Sequence, residues 1–238
     1  MNFFVTGTDT NVGKTYASAL LTQALRKIGY STIALKPIAA GSWSDSEILS
    51  AAADHLLAPQ EVTPFFFQAP LSPMQAAPLE GKIINLPMIM TSIEEMKKKY
   101  SSLLIEGIGG WKVPLSYDFT MADLAVAIGF PVILVVRNRL GAKNHALLTF
   151  ESIKKHGLTC AGMILNHLPE DENDPAIPGY REFFKTFSKL QHLPFLEILP
   201  NQKAVDLSLS GIEAKRASKK TLKSNANGIH QHENLFKS

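Results

Sequence analysis

The chain has 238 residues, 45% of them hydrophobic, enough to bury a full core in one domain without a disulfide or metal staple. Its net charge of +3 belongs to the end of the chain: residues 215–238 hold six Lys or Arg against the single acid Glu233, leaving 18 basic and 20 acidic residues before them. That balance argues against a nucleic-acid-binding body, and no apolar run approaches the ~18 residues a membrane span requires.

Residues 3–6 form an apolar run read as a strand buried on both faces. A glycine-bearing turn follows, and Gly13, Lys14 and Thr15 open a helix whose Ala17, Leu20, Leu21, Ala24, Leu25 and Ile28 recur at i, i+3, i+4 and stop at Gly29. Further strands are expected at 32–35, 103–105, 132–136, 161–165 and 195–199, and helices at 46–57, 86–100, 121–128, 146–156 and 180–190. The stretch 58–87 carries Pro59, Pro64, Pro70, Pro73, Pro78 and Pro87 and is expected to cross the active face without a regular element. The alternation predicts an α/β fold, a mostly parallel sheet with helices on both faces, with ligands at the carboxyl ends of the strands. A single domain is expected over 1–210 and a disordered basic tail over 211–238. The only cysteine, Cys160, reads as a buried strand residue, and with no basic leader before residue 3 a cytoplasmic location is expected.

The turn before the first helix has the layout of a phosphate loop. Backbone N–H groups face an anion, Lys14 reaches the β and γ oxygens, and the Thr15 hydroxyl can complete a magnesium shell. The spacing departs from G-x-x-x-x-G-K-[ST]: Thr8 stands at the first glycine and Gly7 comes one residue early. A phosphoryl-transfer site also needs carboxylates for the metal and cations for the transferred charge. Glu106 follows the strand 103–105 and precedes Gly107, Gly109 and Gly110, making it the first candidate metal ligand; a solvated acid in a turn is the plainer reading. Lys36 projects from the end of the strand 32–35. Spacing alone leaves Asp45 either a helix cap or a ligand.

The stretches 6–15 (TGTDTNVGKT), 36–42 (KPIAAGS), 72–73 (SP), 80–81 (EG), 106–111 (EGIGGW), 114–115 (PL) and 140–149 (LGAKNHALLT) together resemble the dethiobiotin synthetase family over most of residues 1–205. The resemblance implies a P-loop NTPase fold of the partition-ATPase type and a homodimer with the substrate site at its interface. It also implies a reaction joining 7,8-diaminononanoate, CO2 (or bicarbonate) and ATP into dethiobiotin, ADP and phosphate through a phosphorylated carbamate. Carried over, Lys14 and Lys36 are catalytic, and Thr15, Asp45 and Glu106 hold Mg2+. Nucleotide contacts fall on Asn11, Val12, Gly13, Lys14, Thr15, Tyr16, Gly107, Ile108, Gly109, Asn166, His167, Pro200, Asn201 and Gln202. Substrate contacts fall on Thr10, Lys36, Ala40, Leu140, Gly141, Ala142, Lys143, Asn144 and Tyr180, with a helix start at 144–145 suited to the substrate carboxylate. Three residues depart from the family pattern: Ala40 for a Ser or Thr, Met74 for a His, and His167 for an Asp. Two alternatives stand beside this reading. A partition-type ATPase switch lacks support from a second lysine near Gly7, and a related synthetase acting on another amine or carboxylate is kept open by Ala40 and Met74.

Overall fold

In the computed structural model, residues 1–175 and 177–207 are described; the expected tail over 211–238 lies outside them. The elements run β1 (Asn2–Gly7), α1 (Lys14–Lys27), β2 (Thr32–Leu35), β3 (Ile38–Ala40), α2 (Ser44–Ala52), α3 (Pro59–Val62), β4 (Phe65–Phe67), α4 (Pro73–Leu79), α5 (Leu86–Lys99), β5 (Ser102–Glu106), α6 (Met121–Ile128), β6 (Val132–Arg137), α7 (Ala142–Lys155), β7 (Cys160–Asn166), α8 (Ile177–Leu190) and β8 (Phe195–Ile198). Six strands make one parallel sheet in the order β2-β5-β1-β6-β7-β8.

In β1, β2, β5, β6 and β7, neighbouring residues are buried rather than alternate ones. A strand buried at successive positions must be covered on both faces, which explains why these segments read as unbroken apolar runs instead of alternating patterns. Edge strand β8 alternates partly and fully buried residues. Connections lead from β1 toward β2 on one side, and from β6 to β7 and β8 on the other. The crevice at the carboxyl ends of β1 and β6 is therefore the switch point where such sheets take ligands.

Local chemistry sets the helix limits. α1 begins behind Gly13, whose φ of 85° is open to glycine and strained for other residues. α6 is fixed by Asp123 Oδ2, which accepts from the Thr120 N–H at 2.7 Å, and ends at Gly129. Two expected limits are corrected. The helix expected at 46–57 ends at Ala52, because Asp54 and His55 turn into the left-handed region with φ of 55° and 56°. The helix expected at 146–156 begins at Ala142, four residues earlier and two before the anticipated 144–145 start, behind Gly141 with φ 90°.

The proline-rich stretch is also more ordered than expected. Pro59 and Pro73 sit at the first turns of α3 and α4, where the missing N–H is an orphan anyway. Between them β4 pairs in parallel with β3, Ile38 opposite Phe65 and Ala40 opposite Phe67. The Lys36 N–H donates to Val62 O at 2.9 Å, tying the end of β2 to α3. Cys160 is buried, and no helix among the described residues is long and apolar enough to cross a membrane.

Candidate active site

β1 delivers the chain at Gly7 into the loop 8–13, and the loop returns it to α1 at Lys14. Asn11 has φ 56° and Gly13 φ 85°, and Val12 is buried. A Cβ on Gly13 would run into the side-chain amide of Asn166. The Asn166 Nδ2 donates to Val12 O at 3.0 Å, so the end of β7 braces the loop from beneath. The glycine-rich segment after β5 closes it from the other side: Gly107 N donates to Val5 O at 2.9 Å and Trp111 N to Gly7 O at 3.1 Å. Gly109 has φ 63° and lies beside the exposed Thr10, while Ile108 is partly buried against the core.

Lys14, Thr15, Lys36, Asp45 and Glu106 come together above the carboxyl ends of β1, β2 and β5. Glu106 is fully buried; its Oε1 accepts from the Thr15 hydroxyl at 2.8 Å and from Lys36 Nζ at 3.0 Å. Lys36 Nζ also donates to Asp45 Oδ2. Asp45 stands in the first turn of α2, whose N-cap is Trp43, so it does not cap the helix. Burial works against the Lys36 charge, yet Glu106 and Asp45, by charge and hydrogen bond, raise its pKa. Burial would raise the Asp45 pKa, but the Lys36 charge and hydrogen bond, with help from Thr15, lower it. Lys14, also buried, donates to Asp9 O at 3.3 Å. Burial brings its pKa down from 10.5 to about 8, with Lys36 pressing the same way and Glu106, Asp45 and Asp9 opposing. Oε2 of Glu106 is buried without a protein partner.

The residues expected to meet the base gather at the other end of the loop. The Tyr16 hydroxyl donates to the carbonyl of Gln202, joining α1 to the turn after β8. That turn passes through Pro200 and Asn201 (φ 58°), and Gln202 braces it by accepting from Leu199 N at 2.9 Å. Asn166 Oδ1 is buried with no protein partner. His167 turns elsewhere, with Nδ1 3.2 Å from Asn138 Nδ2 and Nε2 2.9 Å from Glu197 Oε1. Both ring nitrogens thus lie beside protein groups, Asn138 after β6 and Glu197 on β8.

Ala40 lies partly buried in β3, where its methyl cannot replace a hydroxyl. In the segment 140–144 three backbone donors are already taken, Ala142 N by Arg139 O at 3.0 Å. Leu140 N donates to Asp174 Oδ2 at 2.7 Å and Gly141 N to the Tyr180 hydroxyl at 3.1 Å. Ala142 is buried, Asn144 is exposed, and Lys143 Nζ sits 4.5 Å from the Tyr180 ring centroid. Arg139 reaches back to Asp9, Nη2 to Oδ2 3.2 Å. A cleft of about 370 Å³ opens beside Thr8 and Asp9, walled by Gly110, Trp111, Val113 and Leu148. Sequence reasoning missed Asp9, Asn138, Arg139, Asp174 and Glu197; Asp9 alone had a signal, its place inside the phosphate-loop motif.

A family model described as an AAA domain matches residues 1–207. The ATP-dependent dethiobiotin synthetase of Akkermansia muciniphila is 36% identical over 208 residues, covering 87% of this chain and 96% of the relative. That of Ralstonia nicotianae is 41% identical over 215 residues, covering 87% and 92%. The chain belongs to the dethiobiotin synthetase family. It is therefore an enzyme, and the AAA-domain match and the loop geometry agree on its phosphate-loop class. Solved structures extend the fold alone. The MinC:MinD cell division complex of Aquifex aeolicus matches at TM-score 0.52 and 14% identity, covering 85% of this chain and 82% of that one. A plasmid partition protein of Borrelia burgdorferi bound to AMPPNP matches at 0.50 and 13%, covering 89% and 93%.

Proposed function

We propose that this chain is a magnesium-dependent, ATP-consuming synthetase that joins CO2 to 7,8-diaminononanoate and closes the ureido ring of dethiobiotin, releasing ADP and phosphate. The observation that carries the reading is the convergence of Lys14, Thr15, Lys36, Asp45 and Glu106 at three adjacent strand ends, in a chain of this family.

One substrate amine adds to CO2, forming an N–C bond and releasing a proton, and Lys36 and Lys14 neutralise the carbamate so formed. A carbamate oxygen then attacks the γ-phosphorus and the bond to ADP breaks. The same two ammonium groups meet the charge that spreads over the transferring phosphoryl oxygens. The second amine attacks the carbamate carbon and gives up a proton, the C–O bond to phosphate breaks, and the ring closes. Phosphorylation turns a poor leaving group into a good one.

The donor set suits magnesium: a hydroxyl and two carboxylates are hard oxygen ligands, and the Oε2 of one of them, Glu106, is buried with no protein partner. Thr15, Asp45 and Glu106 would hold the ion, which supplies charge neutralisation at the β and γ phosphate oxygens. Asn166 spends its Nδ2 on Val12, leaving an oxygen acceptor suited to the exocyclic amine of adenine, with Pro200, Asn201 and Gln202 as the facing wall. Thr10 and the Lys36 to Ala40 segment line the diamine. The first turn of α7 in a second copy of the chain receives the substrate carboxylate through N–H groups such as those of Lys143 and Asn144, beyond the two donors held by Asp174 and Tyr180. This reading makes the chain a cytoplasmic homodimer, which sedimentation would check.

The deciding experiment is isotopic. Labelled CO2 with diaminononanoate gives a labelled ring only with Mg-ATP; no incorporation by folded protein would sink the reading. Ala40, apolar at a substrate-facing position, favours one second reading, a synthetase for a different amine. Product formation across diamines of different length separates the two.

A further inference from the structure

Beyond the reacting groups, a chain of polar contacts runs across the carboxyl edge of the sheet. Asn138, fully buried just after β6, is held from its backbone by β7, with Asn138 N donating to Asn166 O at 2.8 Å. Its side-chain Nδ2 meets His167 Nδ1 at 3.2 Å. His167 N donates to Ile198 O at 2.9 Å, and its Nε2 lies 2.9 Å from Glu197 Oε1 on β8. Glu197 Oε2 then takes Arg181 of α8 through Nε at 2.9 Å and Nη2 at 2.8 Å. Arg181 follows Tyr180, whose hydroxyl accepts from Gly141 N at 3.1 Å. The contacts therefore close a ring from the loop 138–141, through β7 and β8, to α8 and back to the same loop.

Histidine suits the middle of this ring for a chemical reason. With Asn138 Nδ2 donating, Nδ1 is the acceptor, while Nε2 lies 2.9 Å from Glu197 Oε1 in a close contact rather than an aligned hydrogen bond. One ring thus serves an amide donor and a carboxylate at once; an acid at this place would set like charges together. The His167 and Glu197 side chains are 11% and 13% exposed, so water screens the pair only partly.

We propose that His167 is a positioning residue that couples the loop 138–141, which leads into the α7 turn offered to the second copy's substrate, to the turn 199–202 facing the nucleotide, so that the two keep one relative geometry. The identity of the two ligands rests on the function proposed above; the coupling itself does not.

The test compares His167→Ala, His167→Asn and His167→Gln with the parent. In amide hydrogen exchange without ligands, His167→Ala speeds exchange about tenfold in both 138–141 and 199–202, the scale of a lost buried hydrogen bond. Asn, which keeps a polar atom near Nδ1, restores the first segment, and Gln, which reaches the Nε2 position, restores the second. In steady state, His167→Ala raises the KM values for diamine and for ATP together, each about three- to tenfold. Faster exchange in one segment only, or in neither, overturns the proposal, as does a rise in the KM for ATP alone. If His167→Ala does not fold, the Asn and Gln variants and Glu197→Gln carry the same comparison. A parent protein that makes no dethiobiotin removes the proposed reaction, while the exchange pattern still decides the coupling.

Discussion

Replacing Lys14 with Met removes a charge while nearly keeping the volume of the side chain. In the folded chain the Lys14 ammonium is buried, and its pKa falls from 10.5 to about 8, chiefly through desolvation. A cation whose folded pKa lies below its unfolded one opposes folding wherever both states are protonated, that is, below about 8. Between about 8 and 10.5 the unfolded chain holds more of the proton, so the stability contributed at this position rises with pH. The gap corresponds to about 3 kcal/mol at pH 7, narrowing to about 2 kcal/mol at pH 9. We therefore expect Lys14→Met to be more stable than the parent by about that much at pH 7, with the advantage shrinking as pH rises, and to form no product. Urea unfolding followed by circular dichroism at pH 7, 9 and 10, without nucleotide, measures the difference. A variant less stable than the parent at pH 7, or an advantage that does not change with pH, would refute the reasoning.

Three further outcomes are expected. Lys36→Ala lowers product formation by about 100-fold or more while nucleotide affinity changes little, since its role is on the reacting group; parental turnover would remove Lys36 from the catalytic residues. Glu106→Gln shifts the magnesium midpoint upward by about tenfold or more, and an unchanged metal titration would count against Glu106 as a ligand. Gly13→Ala places a Cβ at φ 85° and against the Asn166 amide, costing about 2 kcal/mol or more in denaturant unfolding together with weaker nucleotide binding in calorimetry; unaltered values for both would show that the loop relaxes freely.

The six strands of the main sheet were legible because burial on both faces writes them as apolar runs, and each appears within a residue or two of its expected limits. What escaped was set by contacts rather than composition. The β3 and β4 pair hides among prolines that read as breakers, although Pro59 and Pro73 serve as helix starters and Phe65, Phe66 and Phe67 lie between them. Asp45 could not be separated from a cap by spacing, because only the fold brings Lys36 to it across the turn from β2. The same limit applies to Asp174, which meets the Leu140 N–H from 34 residues away. Lys14 was visible from its place in the phosphate-loop motif, and Lys36 and Glu106 because a charged residue directly at the end of a buried strand is costly unless it is used.

The bond from the Tyr16 hydroxyl to the Gln202 carbonyl spans 186 positions of the chain. During synthesis β1 and the loop 8–13 emerge well before the wall facing them, which follows β8. A nascent chain therefore carries the loop of the proposed nucleotide cradle long before the turn proposed to face the base. On the proposed function, tight retention of nucleotide then reports that β8 has docked on the sheet.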